Sequence, residues 1–388
     1  MAYIPILNVL SITLEKQNRF MRLKIFIPLS LILSILIFFI FLKLTNNLYF
    51  LSNVTNTSID QSKNEAKTEL DNQDIVQPLT LETIFNNKPP VQSDNIISLI
   101  TTGDVMLGRS VNIKIKQFNN SDWPFLNISQ LLKSADITFI NLESPFSNPC
   151  SGTNSGMIFC SENNNVRGLV NSGVDLANIA NNHILNYQNQ GMINTINLLN
   201  QNHILPVGTS DPIYFNAKEI KFAFISFEDV EPNNSFLTKT EEKQIAEKID
   251  EGHKKADIVV VAFHWGVEYT SQPTNRQIKL AHYAIDQGAD IIIGNHPHWI
   301  QPIEIYKEKP IIYSHGNLIF DQMWSEKTRQ GIISKFTFNN NQLMDLELIP
   351  IIIENYGQPR ILDGEDKQKI LDDIKNQSNI LKSTSTNF

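Results

Sequence analysis

Cysteine is scarce, with only Cys150 and Cys160 in 388 residues. Nine residues separate them and no second pair stands nearby, which excludes a cysteine-ligated zinc module. They either close a local disulfide inside their Gly/Ser/Asn-rich loop or remain two thiols. Basic charge is short as well. The formal net charge is −8, and residues 1–44 carry five Lys/Arg against one Glu, which leaves −12 for the remainder. A surface of that sign excludes nucleic acid as a partner, because phosphate backbones need a basic face, but it leaves room for a small anion held through a metal. There is no internal repeat. A hydrophobic fraction of 41% excludes a disordered chain, and the length allows one large or two ordinary domains.

One long apolar run is present. Ile25 to Leu42 gives 18 consecutive positions without a charge, near the lower limit for a helix that crosses a bilayer core. Lys16, Arg19, Arg22 and Lys24 precede it against Glu15, and only Lys43 follows closely. The positive-inside bias therefore places the N-terminus in the cytoplasm and everything after about residue 45 outside. No small-residue cleavage site follows the run, so an uncleaved anchor is favoured over a signal peptide; translation from Met21 would shorten the positive flank and make cleavage easier. The expected organisation is a cytoplasmic segment over 1–24, a transmembrane anchor over 25–44, a flexible polar linker over 45–95, a folded domain over 96–355 and a polar tail over 356–388. Such a chain sits in the cell membrane with a single pass and an extracellular C-terminal domain.

Within the folded part, apolar runs end repeatedly in polar or ionisable residues. Strands are expected over 96–101, 137–140, 174–180, 222–227 and 257–263, and again before Gly294. Helical spacing appears over 191–201, about 240–256 and 276–287, the last with Gly288 placed to cap it. Later segments, 303–306, 311–314, 332–338 and 343–352, read as antiparallel strands, and a helix near 367–375 is possible on composition. Strands alternating with helices early and hairpins late imply an α/β layered sandwich with mixed sheets. Ligands in such folds bind beyond the carboxyl ends of strands.

That is where Asp104, Glu143, Asn182, His183, His264, His296 and His298 fall. Each has a plain alternative as a cap, a turn residue or a satisfied core group. Their recurrence at equivalent positions favours convergence on one ligand. Carboxylates, an amide oxygen and neutral imidazoles suit manganese, iron or zinc, one ion or two, and a carboxylate between two ions can bridge them. His203, His253 and His282 fall in helices or connections and read as structural.

The order of motifs is recognisable. Gly103-Asp104-Val105-Met106-Leu107-Gly108-Arg109, Asn141-Leu142-Glu143-Ser144-Pro145, Ala180-Asn181-Asn182-His183, His264-Trp265-Gly266-Val267-Glu268-Tyr269, Gly294-Asn295-His296-Pro297-His298 and the stretch Tyr313 to Asp321 together resemble the CapA/PgsA-type capsule or poly-gamma-glutamate biosynthesis proteins. That family is similar in turn to the calcineurin-like metallophosphatase superfamily. The resemblance implies a metallophosphatase-like fold preceded by one transmembrane helix. It also implies that Asp104 is the first metal-binding aspartate, Glu143 the bridging carboxylate and Asn182 the ligand asparagine, with His264 and His296 on the second ion and His298 on the first. His183 would contact a substrate phosphate or protonate the leaving group, Arg109 would face a bound anion, and Glu268 and Tyr269 would line the substrate cleft. Phosphatases carry a histidine two residues after the first aspartate. Here Met106 stands in that place, a soft ligand unsuited to a hard ion, so the first site has lost a ligand.

Three functions follow from the resemblance. The first is a membrane-anchored protein of capsule or poly-gamma-glutamate synthesis, meeting an acidic polymer or synthesis subunits. The second is a metal-dependent hydrolase of an envelope phosphoester or a gamma-glutamyl amide. The third is a non-catalytic polymer-binding or assembly module that keeps the shape alone.

Overall fold

The computed structural model describes residues 78–86, 95–230 and 240–385. The expected cytoplasmic segment and anchor lie outside the described residues, and among those described no helix is long and apolar enough to cross a membrane. Fourteen strands run in chain order as β1 (Ile96–Val105), β2 (Ile137–Leu142), β3 (Leu176–Asn178), β4 (Leu205–Val207), β5 (Ile213–Ala217), β6 (Ile220–Asp229), β7 (Ile258–Trp265), β8 (Ile291–Asn295), β9 (Ile303–Tyr306), β10 (Lys309–Ile312), β11 (Asn317–Ile319), β12 (Gln330–Asn339), β13 (Gln342–Glu354) and β14 (Gln358–Ile361). They form two mixed sheets. One has the order β14-β13-β12-β1-β2-β3-β4, with β11 paired beside the end of β1, and the other β5-β6-β7-β8-β10-β9.

Period-two burial builds the layers. In β7, Ile258, Val260 and Ala262 face a core shared with Leu99, Phe139 and Phe336 of the other sheet. Their neighbours Val259, Val261 and Phe263 face the helices Glu242–His253 and Asn275–Asp286 on the outside. A strand buried on both faces is apolar at every position, which is why 257–263 reads as an unbroken run. Phe139 and Phe224 stack across the sheets with ring centroids 5.5 Å apart. Truncating either to alanine would cost about 3–5 kcal/mol in transfer and cavity terms. The outer face of the first sheet is covered by helices including Arg109–Phe118 and Gln188–Gln201, through Val111, Ile115 and Leu199.

Helix Asn275–Asp286 begins at a capping box. The Thr274 hydroxyl accepts from Gln277 N, while the Gln277 side chain accepts from Thr274 N. It ends at Gly288, whose φ of +111° lets the chain turn into β8.

Two boundaries differ from expectation. The linker read over 45–95 contains an ordered turn of helix, Leu81–Phe85, and Leu79 with Leu81, Ile84 and Phe85 packs on the inter-sheet core. The segment read as a polar tail over 356–388, with a helix near 367–375, holds β14 and a longer helix than expected, the 22-residue Gly364–Ser385, that buries Ile370, Ile374 and Leu381. Most of that helix is solvated, so average composition hid a narrow apolar stripe. The cysteines are joined, Cys150 to Cys160, with Cα atoms 5.8 Å apart.

Candidate metal centre

β1, β2 and β3 of one sheet and β7 and β8 of the other deliver polar side chains to one place. Asp104 and His264 lie within the last residues of β1 and β7 rather than after them, whereas Glu143 directly follows β2 and His296 directly follows β8. β8 can approach this closely because residue 294 is glycine: a Cβ there would stand 1.9 Å from the Tyr313 carbonyl oxygen. His296 and His298 both hold positive φ, +98° and +57°, a region that non-glycine residues rarely adopt and that recurs at functional sites.

Hydrogen bonds fix the orientations. Asn178 Oδ1 accepts from the Ala180 N–H, so its Nδ2 donates to Asn141 Oδ1 at 2.8 Å. Asn141 Nδ2 then donates to Asp104 Oδ1 at 2.8 Å and faces His264 Nδ1 at 3.4 Å. His264 therefore accepts at Nδ1 and donates from Nε2 to Asn182 Oδ1, 3.0 Å away. On the other side, Asn317 donates its Nδ2 to Gln322 Oε1 and Thr328 O, which turns its Oδ1 toward His298. His298 Nδ1 lies 2.9 Å from that oxygen and 3.0 Å from Asp104 Oδ2. Both partners are acceptors, so Nδ1 carries the proton and Nε2 presents a lone pair.

What the amide chain leaves over is the centre itself. Glu143 Oε1 and Oε2, His183 Nε2, His296 Nδ1 and His298 Nε2 are buried without a hydrogen-bond partner among the described residues. They face one another. Glu143 Oε1 is 3.6 Å from His298 Nε2 and 3.7 Å from His183 Nε2, and Glu268 Oε1 is 4.0 Å from His298 Nε2. A buried carboxylate and three imidazole lone pairs left unpaired is costly in a dry protein and is relieved by a shared cation. Ligand atoms of Glu143, His264 and His296, of Glu268, His296 and His298, and of Asp104, Glu143 and His298 lie within 4.8 Å of one another, set by set. The donors fit a divalent cation.

Charge follows the same division. Burial raises the Glu143 carboxyl well above its usual range and the adjacent Asp104 carboxylate raises it further. Burial also works against the Asp104 charge, but donation from His298 and Asn141 outweighs it and holds Asp104 below the usual range. Burial pushes His183 down to about 4, His296 to about 3 and His264 well below its ordinary value. All three are neutral imidazoles at physiological pH, the form that binds a metal.

Every residue expected to ligate is thus in this cluster, and His183 stands beside it. Its ring stacks on Phe159 with centroids 4.0 Å apart, and its Nδ1 is 3.0 Å from Asn186 Oδ1. Tyr269 lies at the mouth, 6.0 Å from the His298 ring, with burial and the Glu268 carboxylate raising its phenol. Arg109 is occupied. It pairs with Asp321, donates to Gly156 O at 2.9 Å and lies over Phe159 at 4.8 Å, inside the loop closed by the disulfide. Met106 is buried and its sulfur accepts from Gly108 N at 3.0 Å. His315 bonds Thr101 Oγ1 and Gly294 O, which leaves neither of its ring nitrogens free. Sequence reasoning missed Asn178, Asn317 and Asn186 as orienting residues. Asn317 lies in a recognised motif, but nothing separates the other two from the many asparagines of the chain.

The family model for bacterial capsule synthesis protein PGA_cap matches residues 98–322. The PGA biosynthesis protein CapA of Bacillus subtilis (strain 168) is 30% identical over 310 residues, 75% of this chain and 81% of that protein. The capsule biosynthesis protein CapA of Bacillus anthracis is 28% identical over 296 residues, 71% of this chain and 72% of that protein. Among solved structures, a phosphatase from Mycoplasma pneumoniae overlaps with a TM-score of 0.48 at 17% identity, covering 66% of this chain and 94% of that one.

Proposed function

The chain belongs to the bacterial capsule synthesis protein family, and from that premise we propose that it serves the synthesis or export of an acidic capsule polymer of the poly-gamma-glutamate class. In this reading residues 25–44 anchor it in the cell membrane, the folded domain stands outside, and the buried cluster around Glu143 holds divalent metal. The relatives named for capsule and PGA biosynthesis support the polymer class. The observation that carries the metal is the set of buried, unpaired donor atoms on Glu143, His296 and His298.

A bound divalent cation supplies Lewis-acid polarisation of an oxygen and lowers the pKa of water. The chain's own groups do the rest. His183 donates from Nδ1 to Asn186 and keeps Nε2 free toward Glu143, so it takes up a proton at that atom before it can give one to a leaving group. Phe159 and Phe320 wall the His183 and His298 rings and exclude water. Glu268 and Tyr269 border the entrance. This arrangement also supports a second reading, a metal-dependent hydrolase of an envelope phosphoester or gamma-glutamyl amide. A binding or assembly module without turnover is the third.

Metal analysis of the purified chain, together with the polymer yield of cells carrying wild type or Glu143→Gln, tests the proposal. Bound metal and a loss of polymer in the variant are expected. Unchanged polymer with an inactive centre would remove the capsule role, and turnover of a phosphodiester by wild type alone would favour the hydrolase.

A further inference from the structure

Met106 offers the cluster no ligand, because its sulfur is turned to the Gly108 amide. We infer that the centre binds a single divalent cation through Glu143, His296 Nδ1, His298 Nε2 and Glu268, with Glu268 standing in for the missing ligand and Asp104 acting as a positioning residue. The inference rests on the metal centre proposed above and narrows it.

Three observations carry it. Both oxygens of Asp104 are already occupied by hydrogen-bond partners: Oδ1 accepts from Asn141 and Asn295, and Oδ2 faces His298 Nδ1 at 3.0 Å. A carboxylate bonded to the remote nitrogen of an imidazole orients the ring and raises the basicity of its other nitrogen, the usual outer partner of a metal-binding histidine. His264 and Asn182 are likewise spent on each other, with the tautomer of His264 set by Asn141. The free donors that remain are those of Glu143, His183, His296 and His298; His183 Nε2 lies 3.7 Å from Glu143 Oε1, and Glu268 closes the set on the side of His296 and His298. Its carboxylate oxygen lies within 4.8 Å of the facing nitrogens of both His296 and His298. Glu268 reaches this point from the loop after β7, where Tyr269 N donates to Pro297 O at 2.8 Å and ties that loop to the His296-Pro297-His298 turn. Meanwhile the Met106 sulfur is turned to the Gly108 amide and offers the first site nothing.

Chelated full-length chain titrated with Mn²⁺ provides the test. Calorimetry should find one ion per chain, the electron paramagnetic spectrum should be the six-line pattern of an isolated Mn²⁺, and spin-echo modulation should show two imidazole nitrogens coupled to it. Glu268→Gln should weaken binding by about 100-fold and Glu268→Asp should recover part of the loss, while Asp104→Asn should keep one ion at about tenfold lower affinity. Glu268 is partly exposed at the rim, so its two substitutions leave the core intact, whereas Asp104 is fully buried; circular dichroism of each variant checks that it folds. Two ions per chain, an exchange-coupled spectrum, or unaltered binding in Glu268→Gln would overturn the inference while leaving a metal centre in place. No bound ion at all would overturn both.

Discussion

His315 and His298 are both fully buried, yet their surroundings differ in kind. His315 has a partner at each nitrogen, Thr101 Oγ1 at 3.0 Å and Gly294 O at 3.2 Å, and so joins the sheets as a structural group. His298 has partners only at Nδ1 and turns Nε2 toward Glu143 and Glu268. The contrast separates a region built for stability from one that holds polarity in reserve. Burial alone does not mark a site; several unmet hydrogen-bonding groups that face one another do.

The comparison breaks most sharply at Glu143. Glu143→Gln should lower metal affinity by about 100-fold or more and, in chelated protein, raise the melting temperature, because it removes a buried unpaired carboxylate. A lower melting temperature in the chelated variant would mean that Glu143 is paired like His315. The reciprocal change, His315→Ala, should cost about 3 kcal/mol of stability through lost hydrogen bonds and a cavity, with metal binding intact. Denaturant unfolding and metal titration of one preparation decide both halves. The pH dependence sharpens the same point. The folded pKa of His315, about 4, lies below its ordinary 6.5, so its contribution is complete above 6.5 and is lost as pH falls toward 4. Wild type should therefore lose more stability than His315→Gln between pH 7 and 4.

A smaller effect is expected at the disulfide. Replacing Cys150 and Cys160 together by serine should cost about 2–3 kcal/mol, as expected for a loop of this length, while the ion stays bound. Loss of the ion would show that the loop carrying Phe159 holds the centre as well as covering it. Smallest is Glu228, which burial raises to about 7. The folded chain keeps a proton that the unfolded chain releases, so stability falls as pH rises from 4.5 to 7. Glu228→Gln should therefore gain about 2 kcal/mol at pH 8 relative to pH 4, read from denaturant midpoints.

The legible parts of the sequence were those with one dominant signal. β7 and β8 announce themselves by runs that burial on both faces requires, and the ligand residues by their order behind such runs. Short strands carry no such signal. Leu205–Val207 and Gln358–Ile361 each contain a proline, and Asn317–Ile319 was visible only as part of a motif. Arg109 illustrates the limit at the site: its charge and position were plain, but its pairing with Asp321 depends on residues 212 apart. Met106 was legible as a loss, whereas its compensation by Glu268 required two loops to be placed side by side.

The helix Gly364–Ser385 packs on β9 and β13 and on the short helix Leu81–Phe85, so the two ends of the folded body meet. Ser378 also takes up the amide of Ile303 at the start of β9. A chain cut at residue 355 would therefore bare Leu79 and its neighbours and loosen the point at which the body receives its leading segment. The final helix acts as a clasp for the opening turn, Leu81–Phe85.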